Sequence, residues 1–182
     1  LRRQVKAPWQ KPLVVFTPKS LLRHKKCTSM LSDFGPETAF QPIILDDLPV
    51  QNVHKIILCT GKIYYDLLDY RQSNAILDVA IIRLEQMYPF PADHLIKILK
   101  TYQEIPLIWC QEEPKNMGAW PFLEKRLEHC LTQVRGSLSR PLYVGREEAA
   151  SPATGYADRH STEQETIIKQ AFSVLNMKSH LA

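Results

Sequence analysis

Apolar positions along the chain follow two rhythms. Short, nearly continuous apolar runs predict strands that are buried on both faces. These runs lie at residues 13–16, 42–45, 55–59, 77–84, 106–110 and 142–144. Elsewhere the apolar residues recur every three or four positions, which predicts helices with one buried face. The basic stretch 19–26 predicts a helical turn, and residues 28–40 predict a loop.

Four helices are predicted between these strands. Gly61 precedes the first and Pro91 opens the second, a position that proline favours. The third begins at Trp120. The last carries overlapping capping boxes that pair Ser161 with Gln164 and Thr162 with Glu165. Their predicted core faces, in chain order, are Ile63, Tyr64, Leu67, Leu68 and Arg71; Leu95, Ile98, Leu99 and Tyr102; Trp120, Leu123, Leu127, Cys130, Leu131 and Val134; and Ile168, Ala171, Phe172 and Leu175.

The alternation of strands and helices from residue 55 onward predicts an α/β fold. Such alternation produces a mostly parallel sheet covered by helices on both faces, a three-layer sandwich. A length of 182 residues fits one domain, and residues 1–182 are assigned to it, with residues 1–12 leading in. The chain begins without Met, and we expect it to be part of a longer protein.

Charge is distributed unevenly along the chain. Residues 1–30 contain eight basic and no acidic side chains, although the whole chain has a net charge of only +4. Such a segment could meet phosphate, acidic lipid or an acidic protein surface, or could simply be solvated. Only Trp9 and Phe16 could stack on bases there, so nucleic-acid binding is not expected. No apolar run approaches the ~18 residues of a membrane span, so no membrane partner is expected.

The cysteines indicate packing and no chemistry. None of the four forms a CxxC pair, and Cys59 and Cys110 lie in strongly apolar runs. Cysteine in such runs usually packs as a small hydrophobic residue, so both are expected to be buried. Free cysteines are typical of a reducing compartment.

Few residues suggest a catalytic site of the chain's own. The turn Thr60-Gly61-Lys62 could hold an anion at a helix N-terminus, but it lacks a complete phosphate-binding motif, and a structural turn is the better interpretation. Glu85 follows a predicted strand and fits a site or a turn equally well. Glu112 and Glu113 could form an acid–base pair, but adjacent loop residues usually diverge. The six histidines lack metal-binding spacing, so any chemistry is expected elsewhere in a longer protein.

Four phrases in one order carry a family resemblance. They are LVVFTPKSLLRH (13–24), CTGKIYYDL (59–67), RLEQMYPFP with WCQEEPKNMGAW (83–91 and 109–120), and ASPATGY (150–156). Their order and spacing resemble the C-terminal domain of the thiamine-dependent decarboxylating component of 2-oxoglutarate dehydrogenase, over nearly the whole chain.

The resemblance implies a multidomain oxidoreductase of the tricarboxylic acid cycle. That enzyme decarboxylates 2-oxoglutarate with thiamine diphosphate and magnesium, then transfers succinyl to a lipoyl group of the dihydrolipoyl succinyltransferase component. The cofactors belong to the upstream domains, and the C-terminal domain, similar to that of transketolase, supports the homodimer and borders a regulatory site. No catalytic, cofactor-binding or metal residue is therefore carried over, and the fragment alone is expected to be inactive. A bacterial member would be cytoplasmic and a eukaryotic one would lie in the mitochondrial matrix.

The resemblance also implies one regulatory position. Some members bind acetyl-CoA against this domain, and Arg3 and Gln86 match two positions of that site. Four other positions depart from it, since Ala39 and Pro42 replace a lysine and a serine, and Asp93 and His94 replace an arginine pair. Loss of these cations makes acetyl-CoA control doubtful and leaves another nucleotide as a hypothesis. The alternatives are therefore a nucleotide- or acyl-CoA-binding regulatory module, or the equivalent domain of a 2-oxoadipate dehydrogenase.

Overall fold

The computed structural model describes residues 4, 8–9, 11–102 and 104–173. Five strands alternate with four helices over most of this length. In chain order the elements are β1 (Ile43–Ile44), β2 (Lys55–Cys59), α1 (Ile63–Ser73), β3 (Val79–Leu84), α2 (Ala92–Tyr102), β4 (Leu107–Pro114), α3 (Trp120–Arg135), β5 (Leu142–Arg146) and α4 (Ala157–Ser173). The predicted elements from residue 42 onward are thus confirmed, with shifts at several boundaries.

The strands form one sheet in the order β1-β3-β2-β4-β5. β1 runs antiparallel to β3, and the other neighbours are parallel. At the centre, Ile57 of β2 lies between Ile81 of β3 and Ile108 of β4. The predicted α/β class with a mostly parallel sheet is confirmed, because βαβ connections return each new strand in the same direction.

Two apolar cores cover the two faces of this sheet. Helices α2 and α3 cover one face, where Leu95 and Leu127 pack with Trp109 of β4. Helices α1 and α4 cover the other, where Leu67 and Ala171 pack with the opposite side chains of the same strands. Strand residues are therefore buried on both sides, which explains the continuous apolar runs. The structure has the three layers predicted from the sequence.

A buried lysine joins β2 to the end of α4. Lys55 is only 6% exposed, and its ammonium donates to the carbonyl of Phe172 at 2.5 Å. Desolvation by burial lowers the pKa of Lys55, although the negative charge of Asp78 acts in the opposite direction. A cation at a helix C-terminus is favourable because the last carbonyls lack partners within the helix. This contact with the end of α4 explains why a charged residue occurs in an otherwise apolar strand.

The predicted strand at residues 13–16 is wrong for this structure. The segment has no regular secondary structure, and its four apolar side chains are exposed. A strand forms only when its backbone groups pair with a neighbour, and among the described residues none pairs with this segment. The predicted basic turn is a 3₁₀ helix, Lys19–Arg23, and the predicted loop contains a second one, Leu31–Phe34.

The predicted start of α4 is also wrong. The helix begins at Ala157, so Ser161 and Thr162 lie inside it and do not cap it. Their hydroxyls donate to the carbonyls of Ala157 and Asp158, a bond that competes with capping geometry. Ile168, Ala171 and Phe172 are buried as predicted, together with Ile167, and Leu175 lies outside the described residues. None of the helices in the described ranges is long and apolar enough to cross a bilayer.

Candidate functional site

The carboxyl ends of the parallel strands meet at one edge of the sheet. The chain leaves β2 for β3 on one side, whereas β4 lies on the other side and leads on to β5. The direction of the connections therefore changes between β2 and β4. Ligands of open α/β sheets usually bind at such a switch point. The turn at residues 60–62 follows β2 at this point, and Glu112 of β4 faces it.

Lys62 is held by carboxylates from two elements. Its ammonium lies 2.5 Å from Oε1 of Glu112 on β4 and 3.7 Å from Oδ2 of Asp66 on α1. Gln164 of α4 donates to the same oxygen of Asp66 at 2.8 Å. Gly61 has a φ of 72°, in the left-handed region that glycine adopts without strain. The cation is thus used to join α1, β4 and α4, which favours a structural turn over an anion site.

Glu112 and Glu113 diverge, as expected for neighbours in an extended chain. The Glu112 side chain is 19% exposed and points to Lys62, whereas Glu113 is exposed. The backbone carbonyl of Glu113 accepts a hydrogen bond from the hydroxyl of Tyr143 at 3.2 Å. Since the two carboxylates serve different contacts, the geometry does not place them as an acid–base pair.

Gln111, which the sequence did not single out, organises the loop after β4. Its side-chain carbonyl accepts two hydrogen bonds at 2.9 Å, from the indole N–H of Trp109 and the backbone N–H of Trp120. Its amide donates to the carbonyls of Met117 at 2.8 Å and of Pro114 and Glu113 at 3.2 Å. The residue is 2% exposed. A fully satisfied buried amide of this kind gives the loop a single conformation.

Gly118 lets this loop pass close to Gln111. Its φ is 66°, and a Cβ atom there would lie 2.8 Å from Cβ of Glu113 and 3.1 Å from the Gln111 amide nitrogen. Any other residue would meet both backbone strain and a clash. The loop in turn holds the β5–α4 connection, because Asn116 and the backbone of Ala149 exchange hydrogen bonds of 3.0 and 3.1 Å.

A cluster of charges lies where β5 meets α4. The side chain of Arg146 is 9% exposed, with Nε 2.8 Å from Oε2 of Glu163 and Nη2 2.8 Å from Nδ1 of His160. Arg159 donates to the other oxygen of Glu163 at 2.7 Å. The hydrogen bond from Arg159 and the nearby charge of Arg146 lower the pKa of Glu163. Glu163 is therefore an ionised bridge between two arginines.

A cavity of about 630 Å³ adjoins this cluster. Residues 145–155 form one wall, and a face of α4 from Arg159 to Gln170 forms the other. The volume lies in the range of small-molecule sites. Its lining carries two arginines and the three carboxylates of Glu147, Glu148 and Glu163, so the charges nearly balance and do not select one ligand class. The ASPATGY phrase, which carries part of the family resemblance, forms much of the wall of this cavity.

The predicted regulatory position is only partly described. Gln86 lies beside Pro42, whose carbonyl accepts the backbone N–H groups of Glu85 and Gln86 at 2.8 and 3.0 Å. The Gln86 side chain donates to the carbonyl of Pro89 at 2.7 Å. The matched position 86 is therefore adjacent to position 42, where Pro42 departs from the family's serine. Arg3 lies outside the described residues.

Glu85 contacts Arg83 of the preceding strand, β3, and Pro42, the residue before β1. Its carboxylate lies 3.8 Å from Nε of Arg83, and the guanidinium of Arg83 lies 4.3 Å from the ring centre of Tyr64. With its N–H bonded to Pro42, Glu85 fits a satisfied turn residue better than a catalytic carboxylate.

The buried cysteines are poor nucleophiles. Cys59 and Cys110 are fully buried neighbours in the register of β2 and β4, as predicted. Burial raises the pKa of Cys110 to about 12 and of Cys130 to about 11, and it raises the pKa of Cys59 well above its usual value. Thiols are nucleophilic only as thiolates, so these three act as packing residues near neutral pH. Within the described ranges, no three His, Cys, Asp or Glu side chains could hold a metal ion.

Comparisons with known proteins agree on one family. A sequence model of the 2-oxoglutarate dehydrogenase C-terminal family matches residues 28–172. The 2-oxoglutarate dehydrogenase E1 component of Brucella anthropi is 41% identical over an alignment covering 94% of this chain and 18% of that protein. The E1 component of Brucella abortus strain S19 is 42% identical with the same coverage. The chain thus spans 18% of the length of these curated relatives.

A solved structure is also similar. It is the inactive β4 tetramer of a split-gene transketolase, with a TM-score of 0.48 and 11% sequence identity. The similarity covers 79% of this chain and 45% of that one.

Proposed function

The chain belongs to the 2-oxoglutarate dehydrogenase C-terminal family, and from this premise we propose that it acts as the C-terminal part of a succinyl-transferring 2-oxoglutarate dehydrogenase. The observation that carries the proposal is the family match over residues 28–172, together with 41% identity to E1 components over 94% of the chain. The full-length enzyme decarboxylates 2-oxoglutarate and passes the succinyl group to a lipoyl group on a dihydrolipoyl succinyltransferase partner. It works in the bacterial cytoplasm or, in a eukaryote, in the mitochondrial matrix.

The full-length enzyme would use thiamine diphosphate and magnesium. The described residues do not fit that group, because none of their acidic, histidine or cysteine clusters could hold a metal. The cations at the carboxyl edge are also committed, Lys62 to two carboxylates and Arg146 to Glu163. The role proposed for these residues is to hold the domain together and to position its contacts.

The role proposed for the domain is to support the homodimer and to border a regulatory site. Nucleotide or acyl-CoA binding at Gln86 is the second candidate, supported by the adjacency of positions 42 and 86. Two features weaken acyl-CoA binding. The Gln86 amide already donates to Pro89, and Asp93 places a negative charge in the first turn of α2. Calorimetry of the full-length protein with AMP, ADP and acetyl-CoA tests this candidate.

The activity is tested with the full-length enzyme. In the presence of thiamine diphosphate and magnesium it should reduce ferricyanide when 2-oxoglutarate is added, and omission of thiamine diphosphate is the control. The 182-residue chain under the same conditions should give no turnover. A kcat/KM higher for 2-oxoadipate than for 2-oxoglutarate would favour the 2-oxoadipate alternative. Turnover by the 182-residue chain would contradict the assignment of chemistry to the rest of the enzyme.

A further inference from the structure

Residues 13–16 form an exposed segment of four consecutive apolar residues. Their sequence is Leu-Val-Val-Phe, and the side chains are 48, 74, 62 and 95% exposed, respectively. Large apolar side chains exposed together usually mark a surface that another protein segment covers. Further along the chain, Leu22, Met30 and Leu31 are also exposed, at 71, 73 and 88%.

The backbone of this segment is also without partners. Among the described residues, no hydrogen bond reaches the N–H or C=O groups of residues 13–16. Pro12 and Pro18 flank the segment, and because proline cannot donate to a sheet they limit any ladder to the residues between them. These four residues have apolar side chains and, within the described part of the chain, free backbone N–H and C=O groups. They could therefore form a short strand if neighbouring strands were present.

The side chains further specify the kind of sheet. In an extended strand Leu13 and Val15 lie on one face, and Val14 and Phe16 lie on the other. Both faces are apolar, whereas a strand on a half-solvated sheet would alternate apolar and polar residues. A sheet that contains this strand would therefore be covered on both faces, as the parallel sheets of α/β folds are.

Polypeptide of the longer protein is available to cover the segment. The sequence model of the C-terminal family starts at residue 28, yet identity to the E1 components extends over 94% of the chain. Residues 13–16 thus belong to the shared protein but precede its C-terminal unit. The curated relatives also contain more than four-fifths of their length outside the matched region, which supplies ample chain to form the missing sheet.

We propose that residues 13–16 form a strand in a two-sided β-sheet of the polypeptide that precedes this domain, within the same chain. The domain boundary then lies between residues 17 and 28, which revises the prediction of one domain over residues 1–182. The 3₁₀ helix Lys19–Arg23 becomes part of the connection between the two units. The proposal rests on the longer enzyme of the proposed function, but its measurements detect backbone protection and proximity and do not depend on turnover.

Hydrogen–deuterium exchange on the full-length enzyme is the first test. The amides of residues 13–16 should exchange at least about 100-fold more slowly than an unstructured peptide, as paired amides do. The amides of β2, which are paired in this structure, provide the protected reference. Val15→Pro should abolish the protection because it removes a ladder N–H, whereas Val15→Leu, which keeps the N–H, should retain most of it. Unprotected amides in the wild-type enzyme would overturn the proposal.

Photo-crosslinking identifies what covers the segment. Phe16 is replaced by p-benzoylphenylalanine in the full-length enzyme, and the cross-linked peptides are mapped by mass spectrometry. Cross-links to residues upstream of this chain, within a species of monomer mass, would support the proposal. Cross-links to residues 28–173 would overturn it in favour of pairing within the domain. Cross-links in a species of dimer mass would overturn it in favour of a second copy.

Discussion

Replacing Gln111 by alanine should destabilise the domain more than its position near a loop suggests. The substitution removes five hydrogen bonds and leaves the indole N–H of Trp109 and the backbone N–H of Trp120 without an acceptor in a buried site. Each stranded buried donor costs about 1–3 kcal/mol. These two donors account for most of the loss, and with partial relaxation of the loop the free energy of unfolding should fall by about 3–5 kcal/mol.

Urea denaturation followed by tryptophan fluorescence measures this effect. With a dependence of about 2 kcal/mol per molar urea, the midpoint should fall by about 1.5–2.5 M. Gln133→Ala on the exposed face of α3 is the matched control, and it should change the free energy of unfolding by less than about 0.5 kcal/mol. A second readout is hydrogen exchange in residues 147–149, which should accelerate because the loop that holds Ala149 loses its support.

The result that would refute this reasoning is a Gln111→Ala variant within about 0.5 kcal/mol of the wild type. That outcome would mean that the two donors find other partners at little cost, so that the amide does not organise the loop. A large loss of stability with unchanged exchange at residues 147–149 would separate the two parts of the argument. It would confirm the energetic role of Gln111 and refute its control of the β5–α4 connection.

Two further predictions concern charge and titration. Asp46→Ala should lower the free energy of unfolding by about 3–5 kcal/mol in urea denaturation, because it leaves the largely buried Arg71 without its carboxylate partner. The exposed Asp47→Ala is the control, and equal effects would contradict the argument. Burial raises the pKa of Tyr143 to about 12, so its contribution to stability is complete below pH 10 and is lost as pH rises toward 12. Tyr143→Phe should therefore lose less stability than the wild type between pH 10 and 11.5 in thermal denaturation, whereas the exposed Tyr156→Phe should follow the wild type.

The sheet could be predicted because burial on both faces leaves a direct signature in the sequence. The bounds of β2 match the apolar run at residues 55–59, and the run at 77–84 contains β3. The start of α4 was wrong because hydroxyl-rich sequences match capping boxes wherever they occur, and the choice between positions depends on the chain before them. Here residues 150–156 reach the helix four residues earlier, and the hydroxyls of Ser161 and Thr162 turn back to helix carbonyls.

The candidate site was less predictable, since its residues are paired across long separations. Lys62 and Glu112 are 50 positions apart, and Asp66 and Gln164 are 98 apart. Nothing in the local pattern indicates that these charges neutralise each other. Gln111 was missed for a related reason, because its importance lies in five partners that only the fold assembles. Long-range pairing therefore decides whether a polar residue at a strand end is free for chemistry.

The uneven charge of the chain has a physical explanation in the same terms. Of the basic residues near the N-terminus, Lys26 pairs with Asp69 and thereby ties the segment to α1. Lys19, Arg23 and Lys25 make no ion pair within the described ranges, and they lie in the same segment as the exposed residues 13–16. The uncovered apolar side chains are unfavourable in water, whereas the cations are hydrated and add electrostatic attraction for an acidic surface. A single protein surface, apolar where it meets residues 13–16 and acidic where it meets the cations, would complement both features, whereas nucleic acid would complement only the cations.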